Sequence, residues 1–220
     1  MRTAILTTLL SLVLIVTTAA KPNLTDSIRP LQIKDKDSGE FWGGCTAWAA
    51  RQGETRVWIS ALHCVLNTSG EVLELDWYID GQRVTIFNTD PSADLISFKG
   101  GPSATPLVVS FQAPEIAKPV RTLGYPHGSL KQYATVGIVS SPFAGTDGRI
   151  VYSLPGAPGM SGAPIFTSDD LVVGMMQATE CMGMSWCPIT RGVPLDVLRT
   201  FLSQSEPPVS LPRGLFPQDK

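Results

Sequence analysis

From Phe41 onward the chain runs as short apolar stretches, many alternating with polar residues, separated by Gly, Pro, Asn and Asp. Alternation of period two puts successive side chains on opposite faces of an extended backbone, so these stretches predict half-buried β-strands. TRVWIS (55–60), VLELDWYI (72–79), QRVTIF (82–87) and DLISF (94–98) fit in the first half. Asp80-Gly81, between Ile79 and Gln82, is a two-residue hairpin signal. PVRTLGY (119–125), QYATVGIVSS (132–141), RIVYSL (149–154), APIF (163–166) and LVVGMMQA (171–178) fit in the second half, with a turn at Thr146–Gly148. Only PLDVLRTFLS (194–203) has helical spacing: Leu195, Leu198 and Leu202 share a face, and Pro194 suits a first turn.

Many short strands in regular succession predict an all-β sandwich or barrel fold. Two similar halves predict two small antiparallel β-barrels and a short C-terminal helix, with a cleft between the barrels as the natural site. The breakers Gly100, Gly101, Pro102, Pro106 and Pro114 put a linker at residues 111–118, between an N-terminal barrel at 41–110 and a C-terminal barrel and helix at 119–203. Residues 21–40 read as an extended lead-in, and 204–220, with four prolines, as a loosely ordered tail.

Residues 1–20 change the expected compartment. Arg2, an apolar run to Val16 and small residues ending at Ala20 make the pattern of a secretory signal peptide; an uncleaved membrane anchor is the alternative. Secretion makes disulfides the expected state of the four cysteines. Nearest-neighbour pairing gives Cys45–Cys64 and Cys181–Cys187; a zinc site is the rival, but the CxxC spacing that zinc sites favour is missing. Asn23 and Asn67 begin glycosylation sequons. With a formal charge of −2 and no cluster of Lys or Arg, nucleic acid is not an expected partner, and no stable membrane insertion is expected once the signal is cleaved.

The stretch PGAPGMSGAPIF (155–166) surrounds one hydroxyl, Ser161, with three glycines and three prolines. A serine hydroxyl is a weak nucleophile and needs a base, and that base needs an orienting carboxylate. The chain has two histidines. His63 follows an apolar strand and precedes Cys64, where a disulfide would pin it; His127 lies in an exposed-looking Pro-His-Gly turn that could border a cleft. Asp94, directly ahead of the alternating strand DLISF, is the carboxylate, with Asp90 as runner-up. The N–H groups of Gly159 and Ser161 could converge on an oxyanion, which makes glycine useful at 159. Singly, each has a plainer account: a histidine beside a disulfide, a surface carboxylate, a Gly/Pro loop with a capping serine.

Taken together, Cys45, ALHC (61–64), DLISF (94–98) and GMSGAP (159–164) resemble the chymotrypsin-like serine peptidases, in the family order His, Asp, Ser. Residues 124–141 look most like the bacterial branch that includes HtrA proteases and glutamyl endopeptidases, and the chain leaves no length for a PDZ domain after Ser203. The resemblance implies two six-stranded barrels and a secreted serine endopeptidase. It would hydrolyse a polypeptide substrate through an acyl-enzyme, with His63, Asp94 and Ser161 as triad and no cofactor or metal. A catalytically inactive protease-fold binding protein or adhesin is the alternative. The primary pocket would be bounded by Pro155, Gly156, Met176, Gln177 and Thr179. Where trypsin has a basic-residue-selecting Asp, this chain has Pro155; where glutamyl endopeptidases have a His, it has Met176. A small or apolar residue before the cut is therefore expected. Met160 replaces the Asp that trypsin pairs with its new N-terminus, so that activation switch is not expected here.

Overall fold

The computed structural model describes residues 23–142, 147–180 and 187–204. The expected signal peptide, Cys181, Thr146 and the tail after Gln204 lie outside the described residues.

Twelve strands form two closed antiparallel barrels of six. The first contains β1 (Ile28–Lys34), β2 (Phe41–Gln52), β3 (Thr55–Ala61), β4 (Asp76–Ile79), β5 (Gln82–Asp90) and β6 (Leu95–Gly100), in the order β1-β2-β3-β6-β5-β4. The second contains β7 (Pro119–Gly124), β8 (Tyr133–Ser141), β9 (Ile150–Ser153), β10 (Pro164–Phe166), β11 (Val172–Glu180) and β12 (Ile189–Val193), in the order β10-β11-β12-β9-β8-β7. Counted from its own first strand, the second barrel has the topology of the first. The fold is therefore the expected all-β pair of six-stranded barrels, ending in the helix α1 (Leu195–Ser203).

The local chemistry explains most boundaries. At the β4–β5 hairpin Asp80 (φ 51°) and Gly81 (φ 74°) both have positive φ, and Ile79 pairs with Gln82. That is the geometry two-residue hairpins favour. The predicted strand 72–79 shortens to β4 because its first part pairs elsewhere: Leu73 N–H donates to the Val65 carbonyl and Val72 bridges Leu66. Ile28–Lys34, inside the segment read as an extended lead-in, is a barrel strand, with Ile28, Leu31 and Ile33 buried. It pairs with both β2 and β4 and so closes the barrel.

Trp48, Trp58, Ile59 and Phe98 are fully buried in the first barrel; Tyr152, Ile165 and Leu154 are fully buried in the second. Leu198 and Phe201 of α1 pack into the first barrel's cluster, and Gln52 Nε2 donates to the Phe201 carbonyl at 2.9 Å. The helix thus clamps the second half of the chain onto the first. Another tie crosses between the barrels: the Tyr125 hydroxyl donates to the Ile28 carbonyl (3.0 Å). The segment between the barrels is fastened to the first by Leu107 N–H, which donates to the Ala49 carbonyl (2.8 Å).

Cys45 and Cys64 form a disulfide across a sequence separation of 19. Closing a loop of that size stabilises by about 3 kcal/mol in the chain-entropy model. Replacing both cysteines by Ala should lower Tm by about 6–12 °C, read by thermal unfolding; an unchanged Tm would show that the bridge does not limit stability. Cys187 is also disulfide-bonded. Among the described residues no helix is long and apolar enough to cross a membrane.

Candidate active site

Strand register brings His63 to Asp94. β3 and β6 pair antiparallel with Ala61 opposite Leu95, so the residue after one strand meets the residue before the other. Leu62 N–H donates to the Asp94 carbonyl oxygen at 3.0 Å, and His63 N–H donates to Asp94 Oδ1 at 2.7 Å. His63 Nδ1 lies 2.7 Å from Asp94 Oδ2. A carboxylate only accepts, so Nδ1 carries a proton there. Asp94 holds this position at φ 54°, a left-handed conformation that Asp tolerates better than most residues. The carboxylate is mostly covered while the imidazole stays open, with side-chain exposures of 17% and 44%.

Ser161 is set by the second barrel and tied to the first. Its loop lies between β9 and β10 and is pinned by Met160 N–H to the Ala157 carbonyl (3.0 Å) and Gly162 N–H to the Met176 carbonyl (2.7 Å). The Ser161 carbonyl accepts from Thr46 N–H at 2.9 Å. Thr46 Oγ1 donates to the Gly159 carbonyl at 3.0 Å and accepts from Tyr125 N–H at 3.0 Å. Ser60 Oγ donates to the Thr46 carbonyl at 2.8 Å. Thr46 follows Cys45, which is bonded to Cys64, the neighbour of His63. A single covalent and hydrogen-bonded path therefore runs from the Ser161 loop through Thr46 and the disulfide to His63. Sequence reasoning missed Thr46 and Ser60; the one available signal was a hydroxyl residue inside an apolar stretch of each strand, residues 45–50 in β2 and 57–61 in β3.

The backbone of the loop ahead of Ser161 is closely constrained. Gly159 sits at φ +91°, and a Cβ there would lie 2.7 Å from the Tyr125 carbonyl oxygen and 2.9 Å from His127 N. The Pro158 carbonyl is turned outward to accept from His127 N–H at 2.6 Å. Among the described residues neither Gly159 N–H nor Ser161 N–H donates to a protein acceptor. Two backbone donors are thus available beside the hydroxyl. Ser161 Oγ itself donates to the Gln177 carbonyl at 3.2 Å; no hydrogen bond joins it to the imidazole among the described residues.

Met160 is fully buried in the second barrel's apolar cluster. The position that carries an ion pair in trypsin is here fixed by packing.

The five residues expected around a pocket separate in space. A Cβ at Gly156 would lie 2.6 Å from Thr179 Cγ2 and 3.1 Å from Met176 Sδ, so these two side chains already cover the Gly156 backbone. Gly156 N–H and carbonyl pair with Cys187, at 2.9 and 2.8 Å, which fixes this floor. The Pro155 carbonyl is held by Thr135 Oγ1 at 2.7 Å. The Gln177 side chain turns the other way: Nε2 donates to the Ala93 carbonyl (2.5 Å) and, more weakly, to that of Asp94 (3.3 Å). His127, the histidine of the exposed turn, sits at φ 54° beside Gly159, and Asp90 is engaged by Ser92 Oγ at 2.6 Å.

A family model described as a trypsin-like peptidase domain matches residues 45–175, more than half of the chain. No match was found among curated proteins. With the two barrels and their shared topology, that match means that the chain belongs to the trypsin-like peptidases.

Proposed function

We propose that the protein is a secreted serine endopeptidase in which Ser161 attacks a peptide carbonyl, His63 is the general base and Asp94 orients it. The observation that carries this reading is the contact of His63 with Asp94 through both backbone N–H and Nδ1, at 2.7 Å each. That pair turns Nδ1 to the carboxylate and leaves Nε2 to take the serine proton. For the transfer Ser161 Oγ gives up its hydrogen bond to the Gln177 carbonyl, worth about 1 kcal/mol. The tetrahedral intermediate's oxygen is then stabilised by Gly159 and Ser161 N–H, donors whose loss individually costs roughly 10²–10³ in rate. His63 next gives its proton to the leaving amine, and water repeats the sequence on the acyl-enzyme. The disulfide and the amino-terminal pattern support an extracellular setting.

The residue before the cut is proposed to be small, Gly, Ala or Ser. Thr179 and Met176 stand against Gly156 where a larger side chain would have to enter. Thr179→Gly should open that space and raise kcat/KM for peptides with Leu or Phe at this position by about tenfold, since each methylene in such a pocket is worth about 10–200-fold. Profiling cleavage of a peptide library by both proteins checks this. Unchanged preference, or a wild type already favouring Phe, would show that the pocket lies elsewhere.

The alternative is a protease-fold binding protein without turnover, favoured by one observation: the Ser161 hydroxyl is bonded to the Gln177 carbonyl. A fluorophosphonate probe separates the two readings. A peptidase is labelled at Ser161; a folded wild-type protein that stays unlabelled belongs to the second class.

A further inference from the structure

Arg149 precedes β9 and reaches from the second barrel to the first. Its Nε donates to Gln177 Oε1 at 2.9 Å, and its Nη2 lies 4.0 Å from Asp94 Oδ2, the oxygen that faces His63. Gln177 is the other half of this arrangement. Its buried side chain holds the carbonyls of Ala93 and Asp94, and its own carbonyl accepts from Ser161 Oγ. One residue thus touches both the carboxylate segment and the nucleophile, and one guanidinium is bonded to that residue and faces the carboxylate.

The hydrolytic chemistry asks only for a carboxylate that orients the imidazole. A carboxylate orients well only if it is itself held in place. We propose that Arg149 is a positioning residue that, through Gln177, locks the segment carrying Asp94 across the barrel interface. The proposal rests on reading Ser161, His63 and Asp94 as the triad.

The surrounding charges leave Arg149 directed at Asp94. Asp147 Oδ1 accepts from Arg149 N–H (3.2 Å), but Asp147 Oδ2 faces Arg191 at 3.1 Å, and Arg191 also pairs with Glu180. Burial works against ionisation of Asp147, yet the Arg149 N–H and the Arg191 and Arg149 guanidinium charges hold its carboxyl below the usual range. Asp90 lines the same cleft of about 230 Å³ as Arg149 and is engaged by Ser92 and by Ala93 N–H. The other walls, Val193, Pro194 and Val197, carry no charge.

Three substitutions separate orientation from charge: Arg149→Met removes both, Arg149→Gln keeps a donor for Gln177 without the charge, and Arg149→Lys keeps the charge without the planar fork. In Arg149→Met kcat should fall about tenfold with KM nearly unchanged, as expected when a catalytic group is loosened rather than removed. Arg149→Gln, which keeps a donor for Gln177, should retain most of kcat, and Arg149→Lys should fall between the two. An unchanged kcat in Arg149→Met, or a loss carried by KM instead, would overturn the proposal. Fluorophosphonate labelling is run alongside. Wild type that labels at Ser161, with kcat unchanged in Arg149→Met, sinks only the role of Arg149; wild type that is folded but neither labels nor hydrolyses sinks the triad and this proposal together.

Discussion

Ser161→Ala should abolish fluorophosphonate labelling and lower peptide hydrolysis on the order of 10⁶-fold, as removal of a triad member does in enzymes of this chemistry. The loss should be one of function alone. Among the described residues Ser161 Oγ makes a single hydrogen bond, to the Gln177 carbonyl, and the loop around it is held by backbone groups of residues 159, 160, 161 and 162. Losing one such bond costs about 1 kcal/mol, so Tm should fall by no more than about 4 °C. His63→Ala should cost nearly as much activity, and the double variant little more than either alone, because the groups act as a unit. Retained labelling of Ser161→Ala would assign the nucleophile to another residue. Additive losses in the double variant would mean that His63 and Ser161 do not share a step.

Gly162→Ala should be severely damaging for a single added methyl. Gly162 has φ +86°, and a Cβ there would strike the Thr46 carbonyl oxygen and lie 2.5 Å from Ser60 Oγ. Neither neighbour can yield. Thr46 is in β2 and fully buried, and Ser60 Oγ donates to the same carbonyl. Overpacking at an interior site combined with a left-handed backbone should cost about 3 kcal/mol or more, or about 6–12 °C in Tm. Activity should fall further than stability explains, because the displaced backbone carries Ser161. Gly43→Ala is the matched control: nothing lies within 4 Å of a Cβ there and its φ is ordinary. Denaturant unfolding and turnover at a temperature where both variants remain folded distinguish the two effects. A Gly162→Ala protein as stable and active as Gly43→Ala would show that the barrels separate easily at this seam.

The cost at Gly162 and the path through Thr46 express the same design. The Ser161 loop belongs to one barrel but is seated on the other, so His63 and Ser161 keep their relation only while the barrels stay docked. The Thr46 bonds and the helix on the first barrel each tie the two halves, the disulfide braces the first barrel beside Thr46, and Gln177 with Arg149 ties the segment that carries Asp94.

Period-two alternation sufficed for β5 and β8, because such strands bury one face and leave the other at least partly open. β3 and β6 were legible as short apolar runs instead, and they are buried on both faces from Val57 to Ala61 and from Leu95 to Phe98. Alternation failed for β2, where every residue from Cys45 to Ala50 is buried. One face of that strand fills its barrel while the other meets α1 and the second barrel, so no polar face remains to give a rhythm. It failed for β1, where Pro30 and Leu31 are both buried in succession. The helix was legible since Leu195, Leu198 and Leu202 are buried on one face of α1.

The sequence by itself determined the two-barrel class, the nearest-neighbour disulfide at Cys45–Cys64, and the residue types of the site. Few histidines and a single Gly/Pro-framed serine left little choice, and these are properties of composition and local order. Tertiary structure decided the rest. The orientation of Gln177 away from the pocket, the reach of Arg149 to Asp94, the seating of Ser161 on Thr46 and the covering of Gly156 by Thr179 and Met176 join residues that are mostly tens of positions apart. Nothing local encodes such pairings: they follow from strand register and from which barrel faces meet, and both are fixed only when the whole chain has closed.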